Sequence, residues 1–316
     1  MTADMPFDFP YEEVPGEPSG DALRRHWGIA HGLQAVDGLQ TSAHLNGLSQ
    51  ENIDGVRTLE ETGGMLRAYY AAMADAPAGD AGSARDESEQ EADFVAFRIA
   101  EMLARGAFLF SPDMLRRIHA HIFQDLDPAK YRPGAYKDCA LQKQELVLNG
   151  DSVVYADPSL VDATLKVAFE DELASSRGTG RSDGFVEGIA RFVARLWQVH
   201  PFVEGNTRTV AVFAVLYLND LGYDVTNEPF ESHARYFRDA LVRASYRNAK
   251  AGVFPDLSFL MKFLSQALGG PEEPLRSRDL MVAPLFDDPS LLRNVPAEKA
   301  LAGSAEALNR ENTHGG

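Results

Sequence analysis

The sequence is short of the groups that would signal several large functional classes. Cys139 is the only cysteine among 316 residues, which excludes an internal disulfide and a zinc site built from several thiolates. Lys and Arg total 30 against 47 Asp and Glu, a formal net charge of −17. A phosphate backbone attracts Lys/Arg surfaces, so this balance argues against nucleic-acid binding through general electrostatics and leaves room only for a local basic pocket. The longest apolar run, near Val210–Leu218, is too short to span a bilayer. The start, MTADMPFDFPYEE, is acidic and lacks the basic lead and apolar core of a secretion signal. There is no repeat of fixed period. These absences favour a cytoplasmic protein.

Apolar residues make up 45% of the chain, enough for a substantial core. Residues 1–19, rich in Pro, Glu and Asp, read as a flexible N-terminus. Residues 20–76 read as a helical region. DALRRHWGIAHGLQAV has helical apolar spacing, and Thr41 or Ser42 is set to cap a short turn ended by Gly47. IDGVRTLEETGGMLRAYYAAM is a helix weakened by Gly63 and Gly64. Residues 77–90 form an acidic linker with few large apolar side chains. Residues 91–268 form the larger domain. Its helices include one ended by Gly106 and one opened by Ser111–Pro112, with a further pair on either side of His200. ELVL-NG-DSVVY, with Asn149–Gly150 between short β-like runs, predicts a hairpin. Residues 269–316 turn to Pro, Glu, Arg and Asp and read as a loosely ordered tail. The fold class is mainly α with one β-hairpin.

The stretch HPFVEGNTRT, residues 200–209, lies between two apolar helices. Pro201 ends the first, because the residue before proline is pushed out of the α region. The second starts near Asn206–Thr207, where unpaired backbone N–H groups and the helix dipole favour an anion. Gly205 would let a ligand approach the backbone. Arg208 adds a cation at a place where the dipole disfavours one, which is odd as a structural choice. Glu204 beside phosphate oxygens needs a cation between them, and Mg²⁺ is the natural bridge. His200 has the chemistry to take a proton from an incoming hydroxyl. Phe202 would point inward and lock the loop. The set suits transfer of a phosphorus group from a nucleotide to an alcohol.

HPFVEGNTR resembles the signature of the Fic (fido) family, and the likeness extends over about residues 90–265. The resemblance implies a Fic-type helical bundle in which the hairpin around QELVLNGDSVVY is a flap that docks the target protein by strand addition. It implies His200 as general base, Glu204 as the Mg²⁺ ligand, and Gly205, Asn206, Thr207 and Arg208 as the nucleotide-binding stretch. The family's commonest reaction moves AMP from ATP to a Ser, Thr or Tyr hydroxyl of a protein. The likeness also carries the expectation of a homodimer.

Two positions depart from the signature. Thr207 replaces a glycine, and Ala211 stands where a second arginine would orient the γ-phosphate. The Doc branch also lacks that arginine and transfers the γ-phosphate, so protein phosphorylation is the alternative, followed by a non-catalytic nucleotide-binding module. SAHLNG, Ser42–Gly47, has the frame of the family's inhibitory helix with Asn46 in place of its glutamate. Against that regulatory reading stands an ordinary capped turn. Tyr246 and Asn248 suit either a base pocket or core packing. His119 and His121, two apart on a helix, do not converge on a metal and read as ordinary histidines.

Overall fold

At the centre of the molecule lies a helix with no solvent face. In the computed structural model, which describes residues 18–74, 84–175 and 183–294, every residue of Asn206–Leu218 is buried. A helix that is apolar all round belongs inside, and VAVFAVLYL is such a segment. This helix, α9 (Asn206–Asp220), is enclosed by α4 (Ala84–Arg105), α5 (Pro112–Ile122), α8 (Asp183–Val199) and a 3₁₀ turn over Leu33–Asp37. The remaining helices are α1 (Gly20–Gly32), α2 (Ala43–Ile53), α3 (Leu59–Ala74), the single turn α6 (Pro128–Tyr131), α7 (Val161–Ala174), α10 (Glu228–Ser245), α11 (Ser258–Ala267) and α12 (Ala283–Asp287).

Local chemistry explains most boundaries. Ser42 Oγ accepts the Leu45 amide at 3.1 Å and caps α2. Ser111 Oγ accepts the Met114 amide at 3.3 Å, with Pro112 in the first turn of α5. Gly106 follows α4 at φ 61. The turn expected to end at Gly47 is instead a three-turn helix. Leu45, Leu48, Ser49 and Asn52 are all buried, and this helical stripe carries the chain through the glycine. Gly63 does not interrupt α3 either. A Cβ there would lie 2.4 Å from the Phe97 ring, so the glycine is where α3 meets α4 closely.

The N-terminal helices share the core of the larger region. α1 packs against α4 and α10, and Trp27, Leu33 and Val36 are almost fully buried. The acidic segment is described from Ala84 onward, and there it is already part of α4. The stretches 1–17, 75–83 and 295–316, with the expectations placed on them, lie outside the described residues.

The expected β-hairpin is absent: there is no strand among the described residues. Asn149 and Gly150 do reverse the chain, at φ 52 and 87. Leu146–Leu148 is a 3₁₀ turn, closed by hydrogen bonds between Glu145 N and Asp151 O and between Gly150 N and Glu145 O. A half-exposed hairpin needs alternating burial. Here Val147, Leu148, Asn149, Asp151, Ser152 and Val153 are all buried, and several of their polar groups bond to the chain beyond residue 276. Val282 N donates to Val147 O at 2.9 Å, and Asn149 Nδ2 to Leu285 O at 2.8 Å. Asp151 accepts from the Tyr246 hydroxyl at 2.6 Å and from the Arg293 and Asn294 amides at 3.2 Å each. Residues 277–294, expected to be loose, are held by these bonds and by the buried side chains of Leu280 and Leu285.

Candidate active site

The loop between α8 and α9 is built to hold one shape. α8 stops at Val199, and His200 takes a left-handed backbone at φ 51, its amide donating to Trp197 O at 3.0 Å. For a non-glycine residue this conformation costs about 1–3 kcal/mol and persists only where the surroundings enforce it. Pro201 and Phe202 follow, both buried. Phe202 stacks on His119 with centroids 3.9 Å apart. Asn206 clamps the loop from inside: its Oδ1 accepts from Phe202 N at 2.9 Å and its Nδ2 donates to Phe202 O at 2.8 Å. The Asn206 amide is thus spent on the loop, although the residue still borders the cavity described below.

His119 is a second clamp. Gly134 N donates to its Nδ1 at 2.9 Å, which leaves Nε2 as the protonated nitrogen, and Nε2 lies 3.1 Å from the Glu204 carbonyl. Burial lowers its pKa to about 4, against a smaller upward push from the Glu204 carbonyl, so the imidazole is neutral near pH 7. Gly205 sits at φ 73, and a Cβ there would lie 2.1 Å from Phe123 Cζ. The bare Cα makes room for Phe123, and Gly205 also lines the cavity described next.

A cavity of ≈ 230 Å³ opens beside this loop. His200, Val203, Glu204, Gly205, Asn206 and Thr207 line it from the motif. The imidazole of His200 stacks on Tyr155 with centroids 3.9 Å apart and meets Trp197 edge-on at 5.6 Å. Its Nδ1 is buried with no hydrogen-bond partner among the described residues. Burial first, then the nearby Lys137 ammonium, pushes its pKa down to about 3. Glu204 is exposed at the cavity. The substitution at Thr207 has a local explanation: Trp197 Nε1 donates to its Oγ1 at 3.0 Å, and a glycine would leave that buried N–H unmet. α9 has no side-chain cap, so the N–H groups of its first turn stay without an acceptor from the capping position.

Arg208 is elsewhere than expected. It is 1% exposed and does not line the cavity. Its Nη2 lies 2.9 Å from Glu91 Oε1 and 3.2 Å from Asp37 Oδ2, its Nη1 donates to Gln34 Oε1 at 3.3 Å, and its plane lies over the Phe123 ring. Asp37 does line the cavity, and it also meets Lys143 Nζ at 3.3 Å and Arg238 Nη1 at 3.5 Å. Burial raises the Asp37 pKa, but Arg208, Lys143 and Arg238 outweigh it and hold the carboxyl below its ordinary value. Arg238 Nη2 donates to both oxygens of Glu145, at 3.0 and 2.8 Å. Burial still pushes the Glu145 pKa up against that pairing.

The structure therefore gathers His200, Glu204, Gly205, Asn206 and Thr207 around one cavity and withdraws Arg208 from it. Tyr246 and Asn248 are not at the cavity; they bond to Asp151, to each other and to Leu291 O. Asn46 is exposed and its Oδ1 accepts from Thr41 Oγ1, away from the cavity. Ala211 is buried in the core and borders no part of the cavity. Asp37, Lys143 and Arg238 went unmarked in the sequence because each stands alone there, more than ninety residues from its partners. The role of His119 as the brace of Glu204 is equally invisible without the fold.

No group of three or more His, Cys, Asp or Glu side chains among the described residues could hold a metal alone. A single exposed carboxylate, Glu204, beside an uncapped helix start suits a cation whose other ligands are phosphates and waters, which is how Mg²⁺ is held beside nucleotides.

Residues 109–218 match the model of the Fic/DOC family. The chain is 33% identical over 79 residues to a protein from Sinorhizobium fredii (strain NGR234) named probable protein adenylyltransferase y4lH. That alignment takes in 25% of this chain and 38% of the relative.

Proposed function

Residues 109–218 being a Fic/DOC family domain, we propose that the chain transfers AMP from ATP to a Ser, Thr or Tyr hydroxyl of a target protein. One observation carries the reading: His200, Glu204 and the uncapped start of α9 face a single cavity. The name of the Sinorhizobium relative points the same way.

In this mechanism the nucleotide's phosphates lie against the first-turn N–H groups of α9, which supply fixed dipoles where charge develops. Glu204 would hold Mg²⁺, which would supply neutralisation of phosphate charge. The target hydroxyl meets His200, and its oxygen attacks the α-phosphorus. The new O–P bond forms as the bond to pyrophosphate breaks, and the proton passes to the imidazole. His200 is neutral at pH 7, as a base must be. A basicity as low as its burial implies would be poor for proton transfer, and the negative charge of a polyphosphate in the cavity raises it toward the useful range. Asn206, Phe202 and His119 are positioning residues that fix the imidazole and the Glu204 carboxylate relative to α9. The exposed residues of the 141–155 segment, of which Gln142 and Lys143 line the cavity, are the surface for the target protein.

The test is reaction with Mg²⁺ and ATP labelled separately at the α- and γ-phosphorus. Label should stay on protein from the α position alone and vanish with His200→Ala. Label from γ on the protein would replace AMP transfer by phosphorylation. Nucleotide binding without any transfer would make the chain a binding module.

A further inference from the structure

Four charged groups from four separate parts of the chain converge on one point, three of them on the cavity wall and Arg208 behind it. Asp37 ends the 3₁₀ turn before α2, Lys143 stands in the segment ahead of the Asn149–Gly150 reversal, Arg208 is in the first turn of α9 and Arg238 is on α10. Three cations share the one Asp37 carboxylate at 3.3, 3.2 and 3.5 Å. Two of the three are also satisfied from elsewhere. Arg208 has Glu91, and Arg238 has Glu145. Lys143 has Asp37 as its ion-pair partner among the described residues, and its side chain is 44% exposed. Removing the Asp37 charge would therefore leave the cluster one positive charge in excess, on the wall of a cavity that also receives the uncapped start of α9.

We infer that Lys143 and Arg238, backed by Arg208, form the subsite for the distal phosphates of the nucleotide, and that Asp37 is the anion holding that place when no ligand is bound. The inference rests on the nucleotide reading of the cavity given above. It assigns the terminal phosphates to cations from outside α9. That placement fits the geometry of α9, where Ala211 is sealed in the core and Arg208 is turned away. A phosphate oxygen offers these donors the same acceptor chemistry as a carboxylate with more charge, so exchange of one for the other keeps every donor satisfied. Asp37 has room to yield: its side chain is 20% exposed, and the next residue, Gly38, is a left-handed glycine with open space around its Cα.

An alternative account makes the cluster a structural pin between the N-terminal helices and the rest. The two accounts give opposite signs for one substitution. If Asp37 holds a phosphate's place, Asp37→Asn removes a competitor and should tighten binding of Mg–ATP about tenfold, while Lys143→Ala weakens it by a similar factor and leaves AMP binding unchanged. If the cluster is only a pin, Asp37→Asn loosens the fold and leaves ATP binding equal or weaker.

The experiment is calorimetric titration of the full-length chain, wild type and both variants, with Mg–ATP, AMP and inorganic pyrophosphate. Tighter ATP and pyrophosphate binding by Asp37→Asn, with selective loss of both in Lys143→Ala, supports the subsite. Unchanged ATP and pyrophosphate affinity in Lys143→Ala overturns it, and that variant changes a half-exposed side chain, so its fold is not at risk. A folded Asp37→Asn that binds ATP no better than wild type also overturns it. Should Asp37→Asn fail to fold, Lys143→Glu decides: loss of pyrophosphate binding with AMP binding intact supports the subsite, and equal loss of both overturns it. Transfer of α-label with these affinities unmoved would sink the subsite alone. The expected affinity pattern without any transfer would sink the AMP-transfer reading alone.

Discussion

At the scale of single residues, the loop shows how little freedom the motif positions have. Gly205 combines a left-handed φ with a Cα pressed on Phe123. Gly205→Ala adds backbone strain to an overpacked contact, and urea unfolding should show a loss of about 3 kcal/mol or more. Thr207→Val keeps the volume but strips the acceptor from the buried Trp197 indole N–H, now bonded at 3.0 Å. That change should cost about 1–3 kcal/mol in the same measurement, whereas Thr207→Ser should cost much less. The contrast between Val and Ser isolates the hydrogen bond from the packing. Both outcomes follow from roles that the sequence alone assigns differently: it offers Gly205 and Thr207 to a ligand, and the fold spends them first on Phe123 and Trp197.

At the scale of elements, the segment 141–155 and the tail that braces it are the part least legible in advance. Asp151 is fully buried and accepts from Tyr246, Arg293 and Asn294, tying the last described residues to the turn behind the cavity wall. Asp151→Asn turns one accepting oxygen into a donor facing donors. Hydrogen exchange should then show faster opening of residues 277–294, with global stability falling by about 2 kcal/mol. Helices were readable because capping residues, glycines after the last turn and apolar stripes act locally. Ser42 and Ser111 cap where their side chains suggest, and α8 and α9 meet at the proline–glycine loop. The Asn149–Gly150 reversal was readable as a turn. Whether its flanks pair with each other or with the tail is decided by long-range burial, since Val282 and Leu285 supply partners that lie more than 130 residues away. Composition read residues 269–316 as loose because Pro, Glu, Arg and Asp become frequent there, yet a few buried anchors hold residues 277–294. Leu280, Val282 and Leu285 are enough, since each is almost wholly buried.

At the scale of the whole molecule, four histidines among the described residues are kept uncharged by burial, nearly complete for His119 and His200 and partial for His26 and His31. Burial lowers His26, His31 and His119 to about 4 and His200 to about 3, from an ordinary value of 6.5. Between those limits the unfolded chain binds more protons than the folded one, so stability falls as pH drops below 6.5. Each histidine contributes up to about 1.4 kcal/mol per pH unit in that window. The lowered carboxyls of Asp37 and Glu101 add to the loss at more acidic pH, while Glu145 and Asp93, raised by burial, oppose it. The urea midpoint should therefore decline steadily from pH 7 to pH 5. His119→Asn should make that decline shallower by up to one proton's worth, whatever it does to the midpoint at pH 7.

The span recognised as the shared domain, residues 109–218, stops short of the cavity's own perimeter. Asp37 precedes it by more than seventy residues and Arg238 follows it by twenty, yet both border the same hollow. A recombinant piece cut at the domain's edges would carry His200 and Glu204 with one wall missing. Grafting that piece onto another scaffold would carry over His200, Glu204 and Lys143 and leave behind Asp37 and Arg238, the charged groups that Lys143 and Glu145 pair with.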